Sequence, residues 1–284
     1  MPEKTMKRNL ATEYKGRILE ISALPALPAV LEEVSKAMES PRTSTEQIAK
    51  IIGHDQALAA KVLRMVNSPV YGFPGRIVSL QHALMLLGFN VIRGLIISTV
   101  VFDSMDASMR GLWEHSLGCS VACGEIARIT GYRHPEEYAV AGLLHDIGKS
   151  AFAIQIPEAK AEVDALVAAE NISFYEAEIR ILGFGHDYIN KWLGEHWNLP
   201  LIIREGMEYH HAPLRAKSYP EAAAAVQLGN FVARLFECGF SGDKGVSLVD
   251  PHCLKILGLN QNKLEELLDS AGEQMSKTLG RYVA

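Results

Sequence analysis

The chain has no run of lysines and arginines, no CxxC pair and no uninterrupted apolar stretch long enough to cross a bilayer. Each absence removes a class of protein. Of 284 residues, 28 are Lys or Arg and 33 are Asp or Glu, a net charge of −5. Nucleic-acid binders concentrate positive charge on one face, so this balance argues against duplex DNA as the partner. The four cysteines lack a disulfide-like framework, which fits a reducing compartment, and a cytoplasmic protein is expected. The first sixteen residues are polar and mixed in charge with no apolar segment behind them, unlike a secretory signal. The most apolar segment, residues 80–102, is interrupted by Gln81, His82, Asn90 and Arg93. Four polar groups would be costly at membrane depth, so two buried helices are expected there and no membrane partner. Alternating strand patterns are scarce, and repeats and low-complexity tracts are missing.

What is present is an ordinary globular composition, 48% hydrophobic and 21% charged, patterned with helical periodicity. Val30, Leu31, Val34 and Met38 form one stripe behind Leu24-Pro25-Ala26-Leu27-Pro28. Ser44-Thr45-Glu46-Gln47 reads as a capping box for a helix with Ile48, Ile51 and Ile52 inward. Asp55 is the expected N-cap of the next helix, carrying Leu58, Val62 and Met65, and Asn67-Ser68-Pro69 stops it. Ser79 and Asn90 look like caps of two helices separated by Gly88. Beyond Arg110, helices are expected over 113–130, over 139–152 as one buried helix, over 185–197, 202–211 and 221–237, and as a closing pair over 250–279. The acidic run 158–178 suggests outer helices, and 239–245 a loop. The expected organisation is a polar tail over 1–19, a helical subdomain over 20–108, a helical bundle over 109–240, and a loop with helices over 241–284.

Two short helices joined around Gly53 have the outline of a helix-turn-helix. The second offers only Lys61 and Arg64 as cations, few for phosphate and base contacts, so a plain helical hairpin is the better reading.

Five of the ten histidines fall among apolar neighbours on helical segments: His115, His145 (followed by Asp146), His186, and the pair His210-His211. A lone buried histidine is more often a satisfied core residue than a ligand. The adjacent His145-Asp146 is different, because a carboxylate on a strongly apolar helix needs compensation. A divalent cation held by imidazole nitrogens and a carboxylate is one solution. Lys149, one turn after His145, could meet a substrate phosphate or pair with Asp146. Cys119 and Cys123 share a helix face with His115, where packing at a close helix approach is preferred to a Cys/His cluster. Trp192 and Trp197 are read as packing residues.

The run His145-Asp146-Ile147-Gly148-Lys149 resembles the signature of HD-type metal phosphohydrolases. Gly183-Phe184-Gly185-His186 and Tyr209-His210-His211 look like that superfamily's later ligand segments. Leu24-Pro25-Ala26-Leu27-Pro28, Asn67-Ser68-Pro69 and Leu86-Leu87-Gly88 look like one branch of it, the HDOD family, related to the HD-GYP proteins. The resemblance implies an all-α fold, an HD-like helical bundle with a packed N-terminal helical subdomain. It also implies a bacterial signalling or regulatory module, often without hydrolase activity, acting through protein or ligand binding. The partner would be a signalling protein, with a nucleotide or phosphate as a possible ligand.

The resemblance further implies one metal held by His115, His145, Asp146 and a late aspartate, and a second held by Asp146, His186, His210 and His211. Asn230 stands where the late aspartate is expected, so the first position lacks its anionic anchor. The expected cofactor is therefore one or two divalent transition metals (Fe, Mn, Zn or Ni), the second weakly held. The alternative function is a metal-dependent phosphohydrolase acting on a nucleotide or cyclic dinucleotide, with Asp146 and Lys149 as its catalytic groups. Ala212-Pro213-Leu214 follows the double histidine in place of GYP, against cyclic-di-GMP as the substrate.

Overall fold

Capping chemistry sets the helix ends in the first third of the chain. The Ser44 side chain accepts from Gln47 N while Gln47 reaches back to Ser44 N, opening α3 (Thr45–Gly53). The Asp55 carboxylate accepts from Ala57 N and Leu58 N, opening α4 (Gln56–Val66). The computed structural model describes residues 12–20, 27–39, 43–104, 111–243 and 249–280. The expected pieces at Leu24–Ala26, the Arg110 boundary and residues 244–245 of the loop lie outside these, as do the side chains of Leu31 and Met38.

Before α3 come α1 (12–19) and α2 (Leu27–Glu39), whose Val34 is fully buried. After α4, a short 3-10 turn at Pro69–Tyr71 leads to α5 (Leu80–Asp103), capped by Ser79. The break expected in this apolar segment falls at Gly88 (φ 73°), two residues ahead of Asn90, which lies inside the second half. This is the one described helix apolar and long enough to cross a membrane, and 72% of its apolar window is buried against the rest of the fold.

The second half comprises α6 (Leu112–Thr130), α7 (Pro135–Leu144), α8 (Ile147–Gln155), α9 (Pro157–Glu170), α10 (Phe174–Leu182), α11 (His186–His196), α12 (Leu201–Tyr209) and α13 (Pro220–Leu235). Helices α14 (Pro251–Ile256) and α15 (Gln261–Leu279) close the chain, as the expected C-terminal pair. No strand occurs among the described residues. The fold is all-α.

Helices α6, α7 and α13 form the centre, with α12 across α7 and α13, α15 against α6, and α11 joining α8 to α12. The helix expected over 139–152 is in fact two. The backbone leaves helical geometry at Asp146 (φ −105°, ψ 9°), so α7 ends and α8 starts at the His145-Asp146 pair. A continuous helix would place His145 and Asp146 about 100° apart around its axis; the turn lets both face one interior point.

Cys119 and Cys123 are buried on α6 and point at the Val226 and Ala225 carbonyls of α13. A Cβ on Gly142 of α7 would lie 2.6 Å from Cys123 Sγ, a measure of how close the helices approach. The cysteines are packing residues here, as are the buried Trp192 and Trp197. One continuous cluster of buried side chains runs from Ile18 to Met275.

Candidate metal centre

The five histidines and Asp146 come from four places in the fold and meet at one point. His115 lies in the first turn of α6, His145 and Asp146 in the α7–α8 turn, His186 at the start of α11, and His210-His211 in the turn after α12. Five of these six side chains are 0–1% exposed, and only His211 is half-buried. The half-buried Tyr175 ring stacks on His211 with centroids 3.9 Å apart, on the outward side of the cluster.

Asp146 is the hub. Its Oδ2 faces His145 Nε2 at 3.4 Å and His115 Nε2 at 3.7 Å. Its Oδ1 faces His186 Nε2 at 3.1 Å and His210 Nε2 at 4.0 Å. His186 Nε2 in turn lies 3.0 Å from His211 Nε2 and 3.4 Å from His210 Nε2. Around a tetrahedral zinc-like ion with metal–nitrogen bonds of 2.0–2.1 Å, neighbouring ligand atoms sit about 3.3 Å apart. The observed separations bracket that value, so the residues fit a divalent cation.

Hydrogen bonding behind the rings fixes which nitrogen faces inward. His145 Nδ1 donates to the Gly142 carbonyl at 2.7 Å, and His210 Nδ1 donates to the Met207 carbonyl at 2.8 Å. His186 Nδ1 donates to Glu178 Oε2 at 2.6 Å. His145 and His210 therefore turn an Nε2 lone pair to the centre, as metal-ligating histidines do, and His186 would do so once a cation displaces the proton that Glu178 favours on it. Lone pairs 3.0–3.4 Å apart repel unless a proton or cation lies between them. His145 Nε2, both His115 nitrogens and Asp146 Oδ1 are buried without a hydrogen-bond partner. These orphaned atoms are what a cation would satisfy. Two groups in this cluster, His115/His145/Asp146 and His186/His210/His211, each converge tightly enough to hold an ion.

Electrostatics follow from burial. His115 is lowered to about 3, first by burial and then by its neighbour His145. His145, His210 and His211 are also lowered, chiefly by burial, and stay neutral at pH 7. Burial opposes the charge of Asp146, but His145, Lys149 and His186 together hold its carboxyl well below the usual range. Burial likewise opposes protonation of His186, but the Glu178 carboxylate raises it to about 9.

Lys149 pairs with Asp146, one of the two partners expected for it. Its ammonium donates to Asp146 Oδ2 at 2.8 Å and to the Ser241 carbonyl at 2.9 Å. A positive charge thus already rests on the carboxylate oxygen that faces His115 and His145. Asn230, on α13, is half-buried, and its amide oxygen has no hydrogen-bond partner.

Two residues were not identified from the sequence. Glu178 ends the acidic run expected to face solvent, yet its side chain is 0% exposed and receives both the backbone N–H (3.0 Å) and Nδ1 of His186. Asn190, one turn along α11, donates to the His145 and Met207 carbonyls and accepts from Gly148 N at 2.8 Å. It ties three ligand-bearing segments together. Gly148 must be glycine because a Cβ there would run into the His186 carbonyl oxygen and sit 2.8 Å from Asn190 Oδ1.

The family profile of the HDOD domain matches residues 24–213. An uncharacterized protein of Treponema pallidum (strain Nichols) is 28% identical over 244 residues, covering 82% of this chain and 46% of that protein. The chain thus spans about half the length of that relative. A solved HDOD domain protein of unknown function from Geobacter sulfurreducens superposes with a TM-score of 0.63 at 26% identity, covering 98% of this chain and 95% of that one. Two more distant structures share the fold. One, from Shewanella amazonensis SB2B, bears a provisional phosphohydrolase name (22% identity, TM-score 0.66, covering 93% of this chain and 98% of that one). The other, from Marinobacter aquaeolei VT8, is provisionally named a signal transduction protein (20% identity, TM-score 0.71, covering 98% and 65%).

Proposed function

The chain belongs to the HDOD family, and from that premise we propose that it is a regulatory module whose buried His/Asp centre holds one divalent transition metal without turning over a phosphoester. Its output would be an interaction with a signalling partner. The observation that carries this reading is the closure of the centre: Asp146 and four of the five histidines are 0–1% exposed. The stacked Tyr175 and His211 rings cover one side of the centre. The Lys149 ammonium, the nearest phosphate-binding group, is committed to Asp146 and Ser241.

The better-formed position is Asp146 Oδ1 with His186, His210 and His211. Glu178 behind His186 adds a second carboxylate to a centre that the sequence credits with only one. At the opposite face, Oδ2 carries Lys149, and Asn230 supplies no charge. A bound cation would contribute Lewis acidity and would cross-link the starts of α8 and α11 to the end of α12. Every other role belongs to the chain: Glu178 orients His186, Asn190 holds the three turns in register, and Gly142 and Met207 set the tautomers of His145 and His210.

A metal-dependent phosphohydrolase is the second reading, favoured by one feature, the placement of Asp146 with one oxygen toward each ligand group. The two readings separate in a single set of measurements. Metal content per chain is measured for the wild type and Asp146→Ala, alongside turnover of nucleotides and cyclic dinucleotides. The proposal expects about one metal in the wild type, none in the variant, and a fall in thermal stability on chelation without turnover in either. Metal-dependent turnover abolished in a folded Asp146→Ala variant would establish the hydrolase. No metal in the wild type would refute both.

A further inference from the structure

A cavity of about 750 Å³ lies in the N-terminal half, between the end of α4 and the arc that leads into α5. That volume is within the range of about 300–1,000 Å³ typical of small-molecule sites. Its walls include Arg64, Arg76, Asn67, Ser68, Phe73 and Val78, and no carboxylate lines it among the described residues. Two guanidiniums share one concavity in a chain whose net charge is −5. Arg64 also lines a smaller cavity of about 270 Å³ together with Asp103, whose carboxylate is bound by Lys61. Both arginines are exposed at the walls.

The site is held in shape from within. The Asn67 side chain donates to the Leu63 and Ile77 carbonyls, both at 2.7 Å, and accepts from Ile77 N at 2.8 Å. One residue thereby pins the arc carrying Arg76 to the helix carrying Arg64. The remaining wall is apolar, with Phe73 packed partly on the core and Val78 76% exposed at the rim. Like charges held together without a counter-ion favour an anion. Two guanidiniums match a doubly charged phosphate better than a carboxylate, which would leave one unpaired.

We propose that this cavity binds a small organic phosphate with an apolar body, of the nucleoside monophosphate class, through Arg64 and Arg76. The site is separate from the histidine centre and needs no metal. It also accounts for the helix pair around Gly53. With Lys61 tied to Asp103, α4 keeps one outward cation, too little for the phosphate contacts of a recognition helix but suited to one arm of a ligand clamp.

The test is calorimetric titration of the full chain with each of the four ribonucleoside 5′-monophosphates, inorganic phosphate and benzoate, repeated with divalent ions chelated. Saturable binding of at least one nucleotide is expected, unchanged by the chelator, competed by phosphate and stronger than benzoate. Arg64→Gln and Arg76→Gln should each weaken it about tenfold or more, the loss typical of a charge-assisted contact. The proposal is overturned if no nucleotide binds, if binding disappears with the metal, or if neither arginine matters. Benzoate binding as tight as the nucleotides would overturn the phosphate assignment. Tight, steeply salt-dependent binding of a mixed-sequence duplex through the same arginines would overturn the small-ligand reading in favour of nucleic acid.

Discussion

Glu178→Gln is the most discriminating perturbation of the centre, because it changes one charge and almost no volume. The wild-type carboxylate accepts from His186 N at 3.0 Å and from Nδ1 at 2.6 Å. Glutamine can keep one neutral acceptor there but loses the anion that makes the imidazole a strong donor toward a cation. Replacing such a partner behind a ligating histidine weakens metal affinity roughly 10–100-fold. At a free metal concentration about 100 times the wild-type Kd, bound metal stabilises the fold by about 2.7 kcal/mol. With affinity reduced 10–100-fold, the same concentration contributes only about 0.4–1.4 kcal/mol. The difference of about 1.3–2.3 kcal/mol corresponds to roughly 2–4 °C in the metal-induced rise of Tm for a chain of 284 residues. The assay is the difference in Tm with and without chelator, paired with a competition titration against a chromophoric chelator. Comparing each protein with its own chelated form removes any effect of the substitution on the metal-free fold. An unchanged metal-induced shift, in a variant series where His186→Ala abolishes it, would refute the assignment of Glu178 as the group that positions His186.

Asp146→Asn should cost about 3–5 kcal/mol in the metal-free protein, because it strands the buried Lys149 charge; Asp146→Asn/Lys149→Met should regain most of that loss in denaturant unfolding. Asn230→Asp should raise metal content from about one toward two per chain, and a ratio that stays at one would show that α13 supplies no ligand. Asn190→Ala leaves the His145 and Met207 carbonyls and Gly148 N without their partner, so unfolding midpoints should show a loss of at least about 3 kcal/mol. Gly148→Ala should lower both Tm and metal content, since the added methyl pushes against the His186 carbonyl.

The sequence made legible those features written in short-range chemistry. Ser44 with Gln47, and Asp55, announce their helices because caps act over three residues. The break near Gly88 was visible for the same reason. The histidine set was recognisable through its motifs, and all five histidines meet Asp146 or one another. What stayed hidden depends on contacts distant in the chain. Glu178 sits among exposed acids with the same helical spacing, and only the approach of His186, eight residues on, separates it from them. Asn190 is one polar residue on an amphipathic helix until the α7–α8 and α12 turns are brought onto it. Periodicity also joined residues 139–152 into one helix, because the pattern stays apolar through the very turn that exposes His145 and Asp146 to the centre.

Whether such a centre acts as a staple or a catalyst turns on which ligand directions the protein leaves open. Here both carboxylate oxygens of Asp146 already face groups of the protein. Oδ2 of Asp146 receives Lys149, Oδ1 faces His186 and His210, and His211 with Tyr175 covers the outward side. Lys149 is itself held by the Ser241 carbonyl, so the segment after α13 is drawn over the same carboxylate. A cation in this setting gains its binding energy from joining helix ends, and that energy becomes folding stability of the bundle. Just past the end of α11, Asn198 (φ 49°) offers its carbonyl to the buried Arg93 of α5 at 2.6 Å. The helix that presents His186 at one end is thus fastened at the other to the N-terminal half, where the arginine-lined cavity lies. Arg93→Met tests the link, since it should leave metal content near one per chain while lowering the Tm rise that metal produces. If both stay at wild-type values, the two halves are energetically independent and the centre stabilises only its own bundle.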